Sequence, residues 1–167
     1  MQHLKPESMF TLRDSILIRA PIDRVFALSS SVAIVERELG MHPTAGGRTS
    51  GLIAAGDTIR WQGMQFGFPN YHVSLIVPET WDAPHFFQDR MIAGRFKSFE
   101  HDHRLTETAE GTELNDEVRF SMKLRWGGAL TGSLIVAPHI RDLMRRHFHL
   151  LKRLAETHEW KQYLAAS

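Results

Sequence analysis

Residues 96–120, FKSFEHDHRLTETAEGTELNDEVRF, show the two-residue period of two antiparallel strands joined by a turn. Alternate side chains of a strand share a face, so one face of the first strand carries an apolar set that includes two histidines. That set is Phe99, His101, His103 and Leu105. In the second strand, Asp116 falls among apolar positions, namely Leu114, Val118 and Phe120. The stretch predicts a hairpin whose inner face is apolar except for two imidazoles and one carboxylate.

The length of the hairpin loop decides which residues face each other across the two strands. A four-residue loop at Thr108–Gly111 sets His103 opposite Asp116, whereas a two-residue loop sets His103 opposite Val118. We prefer the first register because it matches like residues with like along both strands. An ionised carboxylate that is buried without a partner costs several kcal/mol. The hairpin therefore predicts a cross-strand pair of His103 and Asp116.

The rest of the chain changes its hydrophobic period in a definite order. Residues 9–18 alternate as a strand, and two short helices follow, one after Pro21 and one at Ser31–Leu39. The glycine-rich residues 40–51 predict a flexible connection without regular structure. Further stretches with a two-residue period predict an antiparallel meander, and they lie near 52–66, 70–77, 85–92, 96–107 and 112–124.

The last third of the chain has a helical period. From Pro138 to about Leu164 one stripe of a helix is apolar or aromatic-like, and Pro138 suits its first turn, or a kink if the helix begins near Ser133. The stripe consists of Ile140, Leu143, Met144, His147, Leu150, Leu151 and Leu154. Because the helix offers one stripe and the sheet one face, the sheet is expected to curl around the helix. We predict an α+β helix-grip fold for a single domain over 1–167, with two short helices after the first strand.

Composition limits the classes of partner. Twenty basic and nineteen acidic side chains give a net charge of +1, so neither nucleic acid nor an anionic membrane surface is expected to bind. The absence of cysteine excludes disulfides and thiolate metal sites. No apolar run approaches the ~18 residues of a membrane span, and the first ten residues do not read as a signal peptide. We expect a cytoplasmic protein without integral membrane association.

Three segments give the chain a resemblance to a known superfamily: GDTIRW at 56–61, FFQDRMIAGRFKSFEHDHRL at 86–105 and GTELNDEVRF at 111–120. Their order resembles the SRPBCC, or START-related, superfamily of lipid-transfer domains, polyketide aromatase/cyclase domains and plant pathogenesis-related allergens. A bacterial branch of it is most similar, with a succession of motifs carried here by Phe87, Asp89, Gly94, Phe96, His101, His103, Gly111, Thr112 and Asp116. The resemblance implies a helix-grip fold that encloses an apolar cavity, and it implies no single reaction. Relatives in this branch carry an aromatic-Arg pair where this chain has Arg146 and His147.

We predict that the protein binds a small, mainly hydrophobic ligand such as a lipid, polyketide or aromatic molecule. The polar handle comprises His101, His103, Asp116 and His147, and the apolar wall comprises Trp61, Phe99, Leu105, Val118 and Phe120. No cofactor is required by this prediction, and the oligomeric state is left open. The turn at 92–95 does not settle whether Asp89 faces the cavity.

Two alternatives use the same residues. A cyclase or dehydratase would use His103, oriented by Asp116, as base and His147 as acid. A metal site would use His101, His103 and His147, or the cupin-like spacing of His101, His103 and Glu107. The second cupin motif is missing from the sequence, so we predict no metal.

Overall fold

The computed structural model describes residues 9–65, 67–123 and 128–164, and within them seven strands form one curved antiparallel sheet. The spatial order of the strands is β1-β7-β6-β5-β4-β3-β2, so that β2 to β7 form a meander and β1 pairs with β7. The strands are β1 (Met9–Ile18), β2 (Met41–Thr44), β3 (Thr58–Gln65), β4 (Phe68–Ile76), β5 (Phe86–Ala93), β6 (Phe96–Thr108) and β7 (Gly111–Met122).

Two short helices follow β1, and a long helix follows β7. The short helices are α1 (Ile22–Ser29) and α2 (Val32–Leu39), and a single 3-10 turn lies at Pro78–Thr80. The C-terminal helix is continuous from α3 (Gly128–Thr131) through a π-helical segment (Gly132–Val136) into α4 (Ala137–Glu156). A 3-10 turn (His158–Trp160) and α5 (Lys161–Leu164) complete the described chain. The predicted α+β helix-grip fold is confirmed.

No helix of the described ranges combines the length and the apolar character that are needed to cross a membrane.

The C-terminal helix differs from the prediction at both ends. It begins before Pro138, as in the alternative that placed its start near Ser133, and the π-helical segment ends two residues before the proline, at Val136. Proline has no N–H to donate to the preceding turn, which favours a local widening of the helix there. At the other end α4 stops at Glu156, because Thr157 is extended and its side chain accepts a hydrogen bond from the Glu159 N–H.

The prediction that residues 40–51 lack regular structure is wrong for β2. Met41 is fully buried against Val32, Ile59 and Trp61, and this burial fixes the segment beside β3. Pro43 is tolerated because β2 is an edge strand, where a missing N–H leaves no ladder partner unsatisfied. Tertiary packing thus outweighs the weak strand propensity of this stretch.

The hairpin of β6 and β7 has the register that the sequence predicts. His103 lies opposite Asp116, Phe99 opposite Phe120 and Leu105 opposite Leu114, the pairings that follow from the four-residue loop. The predicted stripe of the C-terminal helix also faces the protein interior, with Ile140, Met144, His147, Leu151 and Leu154 buried. Each large apolar side chain buried in this way contributes roughly 1.5–3 kcal/mol.

The helix packs on one side of the sheet. Ile140 and Met144 contact Leu12 and Phe120 of β1 and β7, and further along the helix Leu151 and Leu154 pack in a cluster with Ile18, Leu105 and Leu114. Ile59, Trp61 and Ile76 of β3 and β4 belong to a separate cluster that contains no residue of the helix. The inner face of β3 to β5 is therefore left partly uncovered by the helix.

Gly111 at the turn between β6 and β7 provides a test of how closely this hairpin packs against the end of β1. A Cβ at this residue would lie 2.3 Å from the backbone oxygen of Ile18, and φ is +142°. We expect Gly111→Ala to lower the free energy of unfolding by about 2–4 kcal/mol, measured by urea denaturation. The control is Gly40→Ala, which has φ +61° and no atom within 4 Å of the added Cβ. It should cost about 1 kcal/mol. Equal losses in the two variants would contradict the close approach at Gly111.

Candidate functional site

A pocket of about 610 Å³ lies between the inner face of the sheet, α2 and the C-terminal helix. Its wall is mainly apolar, and includes Ile59, Trp61, Ile76, Phe99, Ile140 and Met144. Small-molecule sites typically have volumes of about 300–1,000 Å³ and apolar walls with a few polar groups. The pocket has the size and character of such a site.

Most of the predicted site residues reach this pocket. Its wall includes His101, His103, His147, Trp61, Phe99 and Val118. Asp116, Leu105 and Phe120 do not line it, which differs from the expectation for one polar group and for two residues of the apolar wall. Leu105 packs against the far end of the helix, and Phe120 stacks on Phe10 with ring centroids 5.0 Å apart. Both lie where the helix touches the sheet, and alternation along a strand cannot show where that contact ends.

Asp116 lies behind the two strand histidines and joins them. Its Oδ2 is 3.0 Å from His101 Nε2, and its Oδ1 is 3.1 Å from His103 Nδ1. Burial raises the pKa of Asp116, but the charges and hydrogen bonds of His103 and His101 lower it by more, so the pKa lies below its usual range. An ionised carboxylate only accepts hydrogen bonds, so both facing nitrogens carry the protons that are donated.

Burial fixes the charge state of His103. It lowers the pKa of this imidazole to about 4, although Asp116 acts in the opposite direction. The ring is therefore neutral at neutral pH, and because Nδ1 donates to Asp116, Nε2 is left as an acceptor. His103 also stacks on Phe87, with ring centroids 4.3 Å apart, which fixes the plane of the imidazole.

His147 of the C-terminal helix pairs with Glu38 of α2. Its Nδ1 bonds Glu38 Oε2, and the two side chains are only 8% and 9% exposed. Burial lowers the pKa of His147, but the charge and hydrogen bond of Glu38 raise it by more, and the pKa ends above its usual value. The buried His147 Nε2 has no hydrogen-bond partner among the described residues. The ring centroids of His147 and His103 are 6.3 Å apart, so the two imidazoles face the same part of the pocket.

Sequence analysis missed Glu38, although a signal for it exists. Val35, Glu38 and Leu39 all line the pocket from one side of α2, so the glutamate lies within the apolar face of that helix. An acidic residue on such a face needs a buried partner. The spacing shows the need for a partner, but only the tertiary structure shows that the partner is His147.

A second polar group, of which the sequence analysis had singled out only Asp89, lies on the wall formed by β4 and β5. Ser74 Oγ donates to Asp89 Oδ2 at 3.2 Å, and Asp89 stands directly opposite His101 in the neighbouring strand. Burial raises the pKa of Asp89 to about 6 and lowers the pKa of His72 to about 4. Asp89 lines the pocket together with His72 and Ser74, which answers the question that the turn at 92–95 had left open.

Whether either predicted metal site can form depends on how close its candidate ligand atoms lie to one another. Atoms of His101, His103 and Asp116 that could bind a metal ion all lie within 4.8 Å of one another. Both carboxylate oxygens already accept hydrogen bonds from these histidines, so a cation would have to replace both bonds. The cupin-like set is not assembled, because Glu107 lies six positions further along the strand than His101, a distance of roughly 20 Å.

The comparisons with known proteins concern the fold alone. No protein-family model matches the chain, and no curated protein matches it in sequence. Among solved structures, the di-domain ARO/CYC BexL from the BE-7585A biosynthetic pathway is 17% identical with a TM-score of 0.71, covering 91% of this chain and 52% of that one.

Two shorter proteins match over nearly their whole length. Major latex-like protein 151 from Panax ginseng is 12% identical with a TM-score of 0.64, over 89% of this chain and 99% of that one. The protein TTHA0849 from Thermus thermophilus is 19% identical with a TM-score of 0.61, over 94% and 99%. These matches confirm the helix-grip fold that the resemblance to the START-related superfamily implied, and they concern the fold alone. The bacterial branch within it stays a prediction.

The depressed pKa of His72 predicts a specific pH dependence of stability. Between about pH 6.5 and 4, His72 is protonated in the unfolded chain but stays neutral in the folded protein, where it is buried. Protonation therefore favours the unfolded state, and the stability of the fold decreases as the pH falls. Relative to His72→Phe, the wild-type free energy of unfolding should decrease by about 3 kcal/mol over that range. Urea denaturation of both proteins across the pH range measures the difference, and parallel profiles would refute the assignment.

Proposed function

We propose that the protein binds a small, mainly hydrophobic molecule in the pocket between the sheet and the C-terminal helix. The observation that carries the proposal is a pocket of about 610 Å³ whose apolar wall is interrupted by a group of buried imidazoles and carboxylates. A wall of this kind removes the apolar surface of a ligand from water, which contributes roughly 25 cal/mol per Å². The polar groups then select its orientation.

The polar handle of the site offers groups of opposite character. The neutral His103 presents an acceptor nitrogen, and the pair of His147 with Glu38 presents a ring nitrogen that no described residue binds. Asp116 is held behind the wall and orients both His101 and His103. We assign His101, His103 and His147 to the polar end of the ligand, with Asp116 as the group that orients the two strand histidines. A hydroxyl or carbonyl group suits this arrangement, because a hydroxyl can donate to His103 and either group can accept a hydrogen bond from His147.

The shared fold supports the proposal in general terms. Major latex-like protein and the ARO/CYC protein have the same helix-grip architecture, in which a long helix lies against a curved sheet. Their low identity carries no ligand over to this chain. A lipid, a polyketide or another aromatic-like molecule is compatible with the volume and the apolar wall.

Acid–base catalysis is the second candidate function, and a specific observation favours it. The surroundings of the two facing imidazoles move their pKa values in opposite directions, lowering the pKa of His103 and raising that of His147. Groups separated in this way can serve as base and acid for a cyclisation or dehydration. Asp116 would orient the base, as predicted from the sequence. Binding in the same pocket is common to both functions.

Filling the pocket tests the proposal. Leu143 is half-buried and lines the pocket, so we expect Leu143→Trp to weaken the binding of the neutral fluorophore N-phenyl-1-naphthylamine at least ~10-fold by occupying its volume. The matched control is Leu134→Trp, at a helix position that is 68% exposed and does not line the pocket. Fluorescence titration measures affinity, and circular dichroism checks the fold. Equal binding by both variants, or no binding by the wild type, would count against the pocket as the site.

Truncation of His103 tests the polar handle. We expect His103→Ala to weaken retention of 2,6-dihydroxynaphthalene, whose two hydroxyls can each donate to a different acceptor, by about 5–30-fold, because an imidazole hydrogen bond contributes about 1–2 kcal/mol. Leu105→Ala is the control, since Leu105 shares the strand face of His103 but lies in the core outside the pocket wall. It should lower stability by about 2–5 kcal/mol and leave the affinity of the folded protein unchanged. Unchanged affinity in His103→Ala would remove this residue from the handle.

A further inference from the structure

The wall of the pocket on β4 and β5 holds a carboxylate that the polar handle does not use. Along β5 the side chains of Phe87, Asp89 and Met91 line the pocket, whereas Gln88 bonds Asp102 and Arg90 bonds Glu100 on the other face. This alternation places Asp89 on the inner face of the sheet. A carboxylate in this position faces the interior of the pocket.

Asp89 is only half satisfied by the protein. Its Oδ2 accepts the hydrogen bond from Ser74, while the buried Oδ1 has no hydrogen-bond partner among the described residues. His72, on the same wall, also has a buried ring nitrogen, Nδ1, without a partner there. Buried polar groups in folded proteins are normally hydrogen-bonded, and an unmet one indicates a missing partner. With Asn70 Oδ1 of β4, three such atoms of the described residues lie on one wall of the pocket, and they indicate that the partner is a ligand.

The charges around the pocket define the chemistry of that partner. Glu38 is paired with His147, and Asp116 is shared by His101 and His103, so each of these carboxylates is matched by an imidazole at hydrogen-bond distance. Asp89 makes its one described hydrogen bond to a neutral hydroxyl. A ligand donor satisfies this carboxylate, whereas an anionic ligand group placed beside it is repelled.

We propose that Asp89, with Ser74 and His72, forms a second polar subsite that binds a hydroxyl or amine donor of the ligand, so that the pocket favours ligands with such a donor over carboxylates. This inference rests on the proposed function and adds to it, because the subsite lies on β4 and β5, beside His101 of the polar handle but on strands that carry no residue of that handle. The expected ligand is then an apolar molecule with two polar groups. One of them contacts the polar handle, and the other is a hydrogen-bond donor that contacts Asp89.

The stability of the fold gives an independent reason for this assignment. Burial raises the pKa of Asp89 to about 6, so at neutral pH the carboxylate is held charged in surroundings that oppose the charge. A residue that weakens the fold and meets no structural need is typical of a binding site. Replacement of Asp89 by an uncharged residue should consequently stabilise the protein.

Three naphthalenes of the same skeleton test the subsite. The wild type should bind 2-naphthol about 10-fold more tightly than 2-methoxynaphthalene, which lacks the donor, and should bind 2-naphthoate least tightly. In Asp89→Leu the preference for 2-naphthol should fall to within about 2-fold, with the affinity for 2-methoxynaphthalene retained. The thermal midpoint of this variant near pH 8 should rise by about 3–8 °C. Isothermal titration and thermal denaturation measure the two effects.

The control is Asp102→Leu, which removes a carboxylate from the outer face of the same sheet, where it bonds Gln88 and Arg119. It should keep the preference for 2-naphthol. A wild type that binds 2-naphthol and 2-methoxynaphthalene equally, or an Asp89→Leu variant that keeps the preference, overturns the subsite while leaving the pocket intact. Loss of binding for all three probes in the wild type would instead overturn both the subsite and the proposed function.

Discussion

The contact between one apolar stripe of the C-terminal helix and one side of the curved sheet determines the rest of the structure. The stripe is narrow, and it covers β1, β7 and part of β6 through residues such as Ile140 and Leu151. A single helix of about 10 Å diameter cannot also cover β3 to β5. The pocket is the space that remains, and α2 closes it on one side through Val35 and Leu39.

The polar groups in this space are arranged so that most of their charges are matched. Asp116 is ionised and is held between two imidazoles, while Glu38 holds the proton on His147. Such pairs limit the large free-energy cost of burying charge. Asp89 breaks the pattern, because its one described hydrogen bond comes from the neutral hydroxyl of Ser74 and not from an imidazole. This contrast distinguishes the carboxylates that orient the imidazoles of the pocket from the carboxylate that we propose binds a ligand donor.

Much of the fold could be predicted from the sequence. The loop length of the β6–β7 hairpin predicted that His103 faces Asp116, and the helical period predicted the buried stripe that contains Ile140 and Met144. Both predictions depend on local spacing, which the sequence states directly. The prediction for residues 40–51 was based on glycine content alone, and it was wrong for β2. Met41 and its neighbours form a strand because their side chains are buried by distant residues, a fact that glycine content cannot indicate.

The sequence by itself determined which side chains share a face: His101 with His103 on β6, Asp116 among apolar residues on β7, and His147 on the inner stripe of the helix. Only the tertiary structure decided which of those faces border a pocket and which border packed core, and so separated Val118 from Phe120. It also decided that Glu38 pairs with His147 and that Asp89 faces inward. The reason is physical: periodicity sets the direction of a side chain, whereas partners come from segments that meet only when the sheet bends around the helix.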